Sequence, residues 1–210
     1  MDVLIVGAGG HGRVVLDILR AAGKHRVVGF LDADPALAGT RVHDVEVLGA
    51  MNLLPKLRGK ARGAIVAVGD NAARAQIAGK LREAGLDLVT AIHPSAIISP
   101  TARVGANVVV AAGAVVSTDA VIADSVILNT ACIIDHECQI DSAAHVCPAA
   151  ALAGRVKVGE LAFVGLGSRV IQCLTIGPRA VIGGGAVVIR DVPAGAKVVG
   201  VPARVLAVQD

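Results

Sequence analysis

Two different periods of apolar residues run along the chain, and the change between them falls near residue 92. Before it, short apolar runs alternate with apolar positions at helical spacing. Val3–Val6 reads as a buried strand, Gly7–Gly12 as a glycine turn, and Arg13–Ala22 as an amphipathic helix closed by Gly23. Val27–Leu31 is a second strand with Asp32 at its end. Val45–Leu48 predicts a short strand, Leu53–Leu57 a short helix, Ala64–Val68 a strand, Asn71–Ala84 a helix, and Leu88–Ile92 a closing strand. Such alternation predicts a parallel sheet with helices on its faces.

From Ile98 the period is six. Ile98, Val104, Val110, Val116, Ile122, Leu128, Ile134, Ile140, Val146, Leu152, Val158, Val164, Val170, Ile176, Ile182 and Val188 are all aliphatic, with no slip of phase. Four residues after these stand smaller side chains, as at Ala114, Val126, Cys138, Ala144, Ser168 and Ala186, and turn-forming residues often follow. Three short strands per eighteen-residue coil make a triangular prism, with one aliphatic side chain per strand pointing inward. Coils stacked at a strand spacing of about 4.8 Å place aliphatic on aliphatic, so no repeat is stable alone. A β-sandwich would need turns at variable spacing. The expected domains are therefore 1–92, α/β, and 93–210, an all-β parallel β-helix with a C-terminal tail.

Composition agrees with a narrow interior. The 210 residues are 54% hydrophobic but only 1% aromatic, so large rings have no core to fill. The most apolar stretch, Val108–Leu128, is broken by Gly113, Asp119 and Asp124, which argues against a membrane span. The start, MDVLIVGAGG, does not read as a signal peptide, and a soluble cytoplasmic protein is expected. A net charge of +3, scattered along the chain, gives no footprint for nucleic acid. Cys132, Cys138, Cys147 and Cys173 lack CxxC spacing, and the first two take inward positions, where cysteine serves as a small hydrophobe.

Candidate chemistry on the prism centres on His136. Counted from Ile134, it takes a corner position and projects outward, where a neutral imidazole accepts a proton near pH 7. Either Asp135 or Glu137 is placed to orient it. One coil on stands Gly154, whose missing side chain predicts room for a thioester and its pantetheine arm. Asn129, Asp135, His136, Glu137 and His145 fall within about one coil. Such a polar cluster argues against a purely structural β-helix. Zinc hydration chemistry would need three imidazoles, and the prism has only His136 and His145, so no metal is expected.

In the first domain, Gly7-Ala8-Gly9-Gly10-His11-Gly12 satisfies GxGxxG between a strand and a helix, and Asp32 lies twenty residues beyond Gly12. This is a Rossmann-like fingerprint, and an NAD-binding oxidoreductase is one reading of it. Against that reading, the α/β portion supplies only one mononucleotide-type half, with no catalytic dehydrogenase domain after it. A helix N-terminus binds any phosphate.

The segment NTACIIDHECQIDSAAHV, with GGGAVVIRDVPAG and the terminal GVPAR, resembles the bacterial nucleotide-sugar acetyltransferases of the hexapeptide-repeat superfamily. Among them it is most similar to enzymes that acetylate a 4-amino sugar on UDP or GDP, within a broader sialic-acid O-acetyltransferase-like group. The resemblance extends over nearly the whole chain and implies a left-handed β-helix. It implies acetyl-CoA as co-substrate, His136 as general base, Glu137 raising its basicity, and Asn129 helping to build the site. It further implies coenzyme contacts at His145, Gly154, Leu166 and Gly184, and substrate contacts at Gly9, Gly10, His11, Asp32, Ala33 and Gly69. It also implies a homotrimer, with outward residues such as Val109 and Ile133 available for lateral contacts. A sugar O-acetyltransferase is the alternative within the group.

Overall fold

The structure is a computed structural model describing residues 1–57 and 59–206. It divides into two units, Met1–Pro94 and a second beginning at Ser95.

In the first unit, β1 (Asp2–Val6) is followed by α1 (Gly10–Ala22), β2 (Arg26–Leu31), β3 (Arg41–Val42), β4 (Val45–Gly49), β5 (Gly63–Val66), α2 (Asn71–Glu83) and β6 (Asp87–Leu88). The sheet order is β3-β4-β2-β1-β5-β6, parallel except for the β3–β4 hairpin at one edge. The apolar run at β1 is central and buried on both faces, as Val3, Leu4, Ile5 and Val6 show. The neighbours of β1 are β2 on one side and β5 on the other. The topological switch therefore lies beside β1, and the loops leaving β1 and β5 flank its crevice.

Several boundaries differ from those the sequence predicts. The helix α1 begins at Gly10, with Gly9 as N-cap, and Arg13 N–H makes a helical bond to Gly9 O at 3.2 Å. The expected helix at Leu53–Leu57 is a 3₁₀ segment, Met51–Leu57, containing Pro55, which has no N–H to give an α-helical bond. The expected closing strand is split. Asp87–Leu88 joins β5, whereas Ala91–Ile92 stands outside this sheet.

The second unit is a parallel β-helix. Two-residue strands recur every six residues from Ile97–Ile98 to Val187–Val188, and each pairs with the strand eighteen residues away. Three stacks result. The first contains Ile127–Leu128 and His145–Val146, the second Ile133–Ile134 and Ala151–Leu152, the third Gln139–Ile140 and Lys157–Val158. The second residue of each strand is the inward aliphatic; those from Val110 to Val188 are almost fully buried, while Ile98 and Val104 at the start are half-buried.

Each corner turns through a left-handed residue three positions after the inward aliphatic. These positions recur every six residues from Asn107 to Gly185, and most are not glycine. An L-residue there costs roughly 1–2 kcal/mol. The corner N–H returns a hydrogen bond to the preceding coil, as Glu137 N–H does to Thr118 O at 2.9 Å and Arg155 N–H to His136 O at 2.9 Å. Repeated strain of this kind persists because each turn is tied to the next.

Candidate active site

His136, Glu137, Gly154 and Arg155 meet at the corner after the second stack. Glu137 takes the left-handed position, φ 57°, and its Oε2 lies 2.9 Å from His136 Nδ1. Asp135 does something different. Its Oδ1 accepts the backbone N–H of His136 at 2.7 Å and so fixes the turn rather than the ring. The structure thus chooses Glu137 as the ring's partner. Both side chains of the pair are about half exposed. A neutral ring that donates Nδ1–H to this carboxylate carries its lone pair on Nε2.

Gly154 stacks on His136 as the eighteen-residue coil requires, but the space it frees is already filled. A Cβ built there would meet Nε2 inside van der Waals contact and Cε1 at 2.5 Å. The expectation of room for a thioester above the ring is therefore corrected: the missing side chain accommodates the imidazole itself.

Arg155, which the sequence reading did not single out, donates Nε–H to the same Glu137 Oε2 at 3.1 Å. Hydrogen bonds from His136 and Arg155, with the arginine's charge, hold the Glu137 carboxyl below its ordinary range. The signal was present in the register, since Arg155 is eighteen residues after Glu137.

Asn129 and His145 sit elsewhere on the prism. Asn129 follows a strand of the first stack, and its Nδ2 donates to His145 Nε2 at 3.2 Å. The His145 ring meets Phe163 edge-on, with centroids 5.3 Å apart. Leu166, 62% exposed, and Gly184 adjoin each other at the corner after this stack. The five polar residues expected as one cluster are thus divided between two corners of the chain. Arg190, Lys197 and Arg204 are exposed. Val109 is fully buried within its own chain, so the expected lateral role falls to Ile133, which is 45% exposed.

In the first unit the glycine loop has the form of an anion cradle. Gly7 has φ 110°, and a Cβ there would come within 2.6 Å of Ala67 O, so no larger residue fits. Gly9 and Gly10 are exposed, with nothing within 4 Å of a built Cβ. The N-terminus of α1 has no side-chain cap and no acid in its first turn, whereas Asp70 caps α2 by accepting Ala73 N–H at 2.7 Å. The first-turn amides of α1 thus have no side-chain cap among the described residues.

Asp32 braces this loop. Its Oδ2 accepts Ala8 N–H at 2.7 Å, and its Oδ1 accepts Asp34 N–H at 2.9 Å. Ala33 and Gly69 are exposed in the loops after β2 and β5. His11 opens α1. Burial first, and Arg74 second, push its imidazole down to about 4, so it is neutral at physiological pH. Its Nε2 is buried without a partner among the described residues. Arg74, fully buried, donates to Val68 O at 3.0 Å, Gly69 O at 3.1 Å and Asn71 Oδ1 at 2.8 Å. It ties down the Gly69 loop from beneath, a role no position in the sequence pattern announces.

Covalent catalysis by the buried thiols is disfavoured. Burial pushes Cys132 up to about 12 and Cys147 to about 11, and raises Cys138 as well. Among the described residues no three His, Cys, Asp or Glu side chains gather to hold a metal ion. No helix among them is long and apolar enough to cross a membrane.

A hexapeptide β-helix with a corner histidine–carboxylate pair, following a Rossmann-like unit in the sequence, defines the class of hexapeptide-repeat acyltransferases. Comparison with known proteins gives the family. The PglD N-terminal domain family matches residues 2–81. The chain is 45% identical to PerB of Caulobacter crescentus, solved in complex with CoA and GDP-perosamine, covering 99% of this chain and 98% of that one with a TM-score of 0.94. The acetyltransferase domain of PglB from Neisseria gonorrhoeae is 37% identical, over 98% of this chain and 99% of that one, with a TM-score of 0.91. The UDP-N-acetylbacillosamine N-acetyltransferase of Bacillus subtilis is 36% identical over 111 residues, 47% of this chain and 45% of that protein, so this match spans less than half of either. The chain belongs to the nucleotide-amino-sugar N-acetyltransferase family.

Proposed function

We propose that this enzyme transfers the acetyl group of acetyl-CoA to the 4-amino group of a UDP- or GDP-linked amino sugar, with His136 as general base. The observation that carries this reading is the His136 Nδ1–Glu137 Oε2 hydrogen bond of 2.9 Å, which leaves Nε2 to take a proton. PerB, solved with CoA and GDP-perosamine, and PglB, solved with acetyl coenzyme A, support the two substrates.

The chemistry is direct transfer. The neutral amine attacks the thioester carbonyl, forming the N–C bond, while Nε2 of His136 takes the amine proton. The tetrahedral intermediate then collapses with cleavage of the C–S bond, and the imidazolium returns a proton to the leaving thiolate. Glu137 stabilises the imidazolium between these events. In the first unit the open amides of α1 at Gly9, Gly10 and His11 take the nucleotide's phosphates, with Asp32, Ala33 and Gly69 beside them. His145, Gly154, Leu166 and Gly184 take the coenzyme, and Asn129 holds His145. No part of the scheme requires a metal.

A homotrimer completes this site in our reading, because His136 and the Asn129–His145 pair occupy different corners of one chain. A neighbour's corner, facing His136, would bring coenzyme and base together. The same reading has the enzyme act in the cytoplasm, in keeping with described helices that are too short or too polar to cross a membrane.

The test is acetyl-CoA turnover, read as free thiol, against a panel of UDP- and GDP-linked 4-amino and hydroxy sugars. Release with a 4-amino sugar is expected, and His136→Ala should lower kcat by roughly 10²–10⁴-fold. No release with any sugar would overturn the reading, as would near wild-type turnover by His136→Ala. Tight NAD binding with no thiol release would favour the oxidoreductase instead.

A further inference from the structure

We propose that Arg155 is a positioning residue for the transfer reaction, aiming Glu137 at His136. The inference rests on the reading of His136 as the base.

Glu137 and Arg155 occupy equivalent left-handed corners one coil apart, with φ 57° and 61°. Their Cα atoms therefore stack, and both side chains leave the prism at the same edge. A single carboxylate oxygen, Glu137 Oε2, accepts from His136 Nδ1 at 2.9 Å and from Arg155 Nε at 3.1 Å. Both acidic and basic partners are at least half exposed. An exposed ion pair of this kind adds little to fold stability. Its effect is chemical, because the shared oxygen is also the one that holds the imidazole. Without the guanidinium, an exposed glutamate samples several rotamers, and only some of them reach Nδ1.

Arg155 also keeps the Glu137 carboxylate ionised, and so able to accept from Nδ1. The other charged or titratable groups of this corner are few. Asp135 is occupied with the His136 N–H at 2.7 Å. Asp119 stands one coil before Glu137 and Cys173 one coil after Arg155, both at left-handed corner positions. Further along, Asp191 accepts Thr175 N–H at 2.8 Å, and Arg190 is exposed beside it.

The test compares Arg155→Gln and Arg155→Lys with the wild-type protein. In Arg155→Gln kcat should fall about tenfold, since the carboxylate is no longer aimed. KM for both substrates should stay within about twofold. Arg155→Lys keeps the charge but should recover only part of kcat, because an ammonium lacks the fixed Nε–H. The NMR shifts of the His136 ring nitrogens, read with no substrate present, should move in Arg155→Gln as the Nδ1 hydrogen bond to Glu137 loosens. If the wild-type protein turns over but neither kcat nor the His136 ring shifts change in Arg155→Gln, this inference falls alone. If the wild-type protein releases no thiol, the functional reading falls and takes the inference with it.

Discussion

At the scale of single residues, Gly154 is the position of the candidate site where a side chain would collide with the imidazole of His136. The ring lies where a Cβ would be, so substitution here acts on chemistry before it acts on folding. Gly154→Ala should push the ring off its Glu137 hydrogen bond and lower kcat/KM by roughly 100-fold. The ring is an exposed side chain free to swing outward, so the melting temperature should change by no more than about 2 °C. Gly165 offers the contrast. A Cβ there meets the Ile182 carbonyl oxygen and lies 2.8 Å from Gly183 C, and backbone cannot swing aside. Gly165→Ala should therefore cost about 1–3 kcal/mol of stability. Thermal melts and turnover measured on both variants decide the matter, and equal destabilisation by the two would refute it.

At the scale of elements, what was legible in the sequence follows from what a period can encode. The six-residue aliphatic repeat specifies strands, coils and the inward column, since one face of each strand is buried and any slip would expose it. The GxGxxG loop likewise announces β1, α1 and the open amides between them. Arg74, which ties down the Gly69 loop, does not announce itself, because an arginine within a helical segment is ordinarily a solvated one. The division of the polar cluster between two corners escapes any reading by coil number alone, since eighteen residues pass through all three corners. Arg155 was recoverable by the same stacking arithmetic that found Gly154. A prediction belongs to α1. The His11 imidazole has its value depressed to about 4 by burial and by Arg74, against about 6.5 when unfolded. The unfolded chain therefore binds the extra proton first. The stability owed to neutral His11 is complete above pH 6.5 and is lost as pH falls from 6.5 toward 4, by about 3 kcal/mol. His11→Asn should flatten that part of the stability profile in denaturant unfolding at pH 7, 6 and 5. An unchanged slope would show that His11 is not the titrating group.

At the scale of the whole molecule, the exposed apolar residues of the second stack argue for association with copies of the same chain. Ile97 is 66% and Ile133 45% exposed on outward positions of one column, with Val115 half-buried between them in register. On the first stack the equivalent Val109 and Ile127 are fully buried, so the two faces differ in what they leave open. A patch that meets a different patch on the next copy closes into a ring if the rotation permits. The proposed trimer should then sediment at three times the 21.0 kDa chain mass, and Ile133→Asp should yield smaller species with little turnover. Shared composition of the site allows a sharper test. His136→Ala removes the base and leaves the coenzyme corner, while His145→Ala damages that corner and leaves the base. Each should be nearly inactive alone. Co-expressed in equal amounts and assembled at random, they should recover about a quarter of wild-type turnover per site, because a site then needs an intact base from one chain and an intact corner from the next. If every site were built within one chain, no mixture of the two variants would exceed the residual activity of either, and the trimeric site would have to be abandoned.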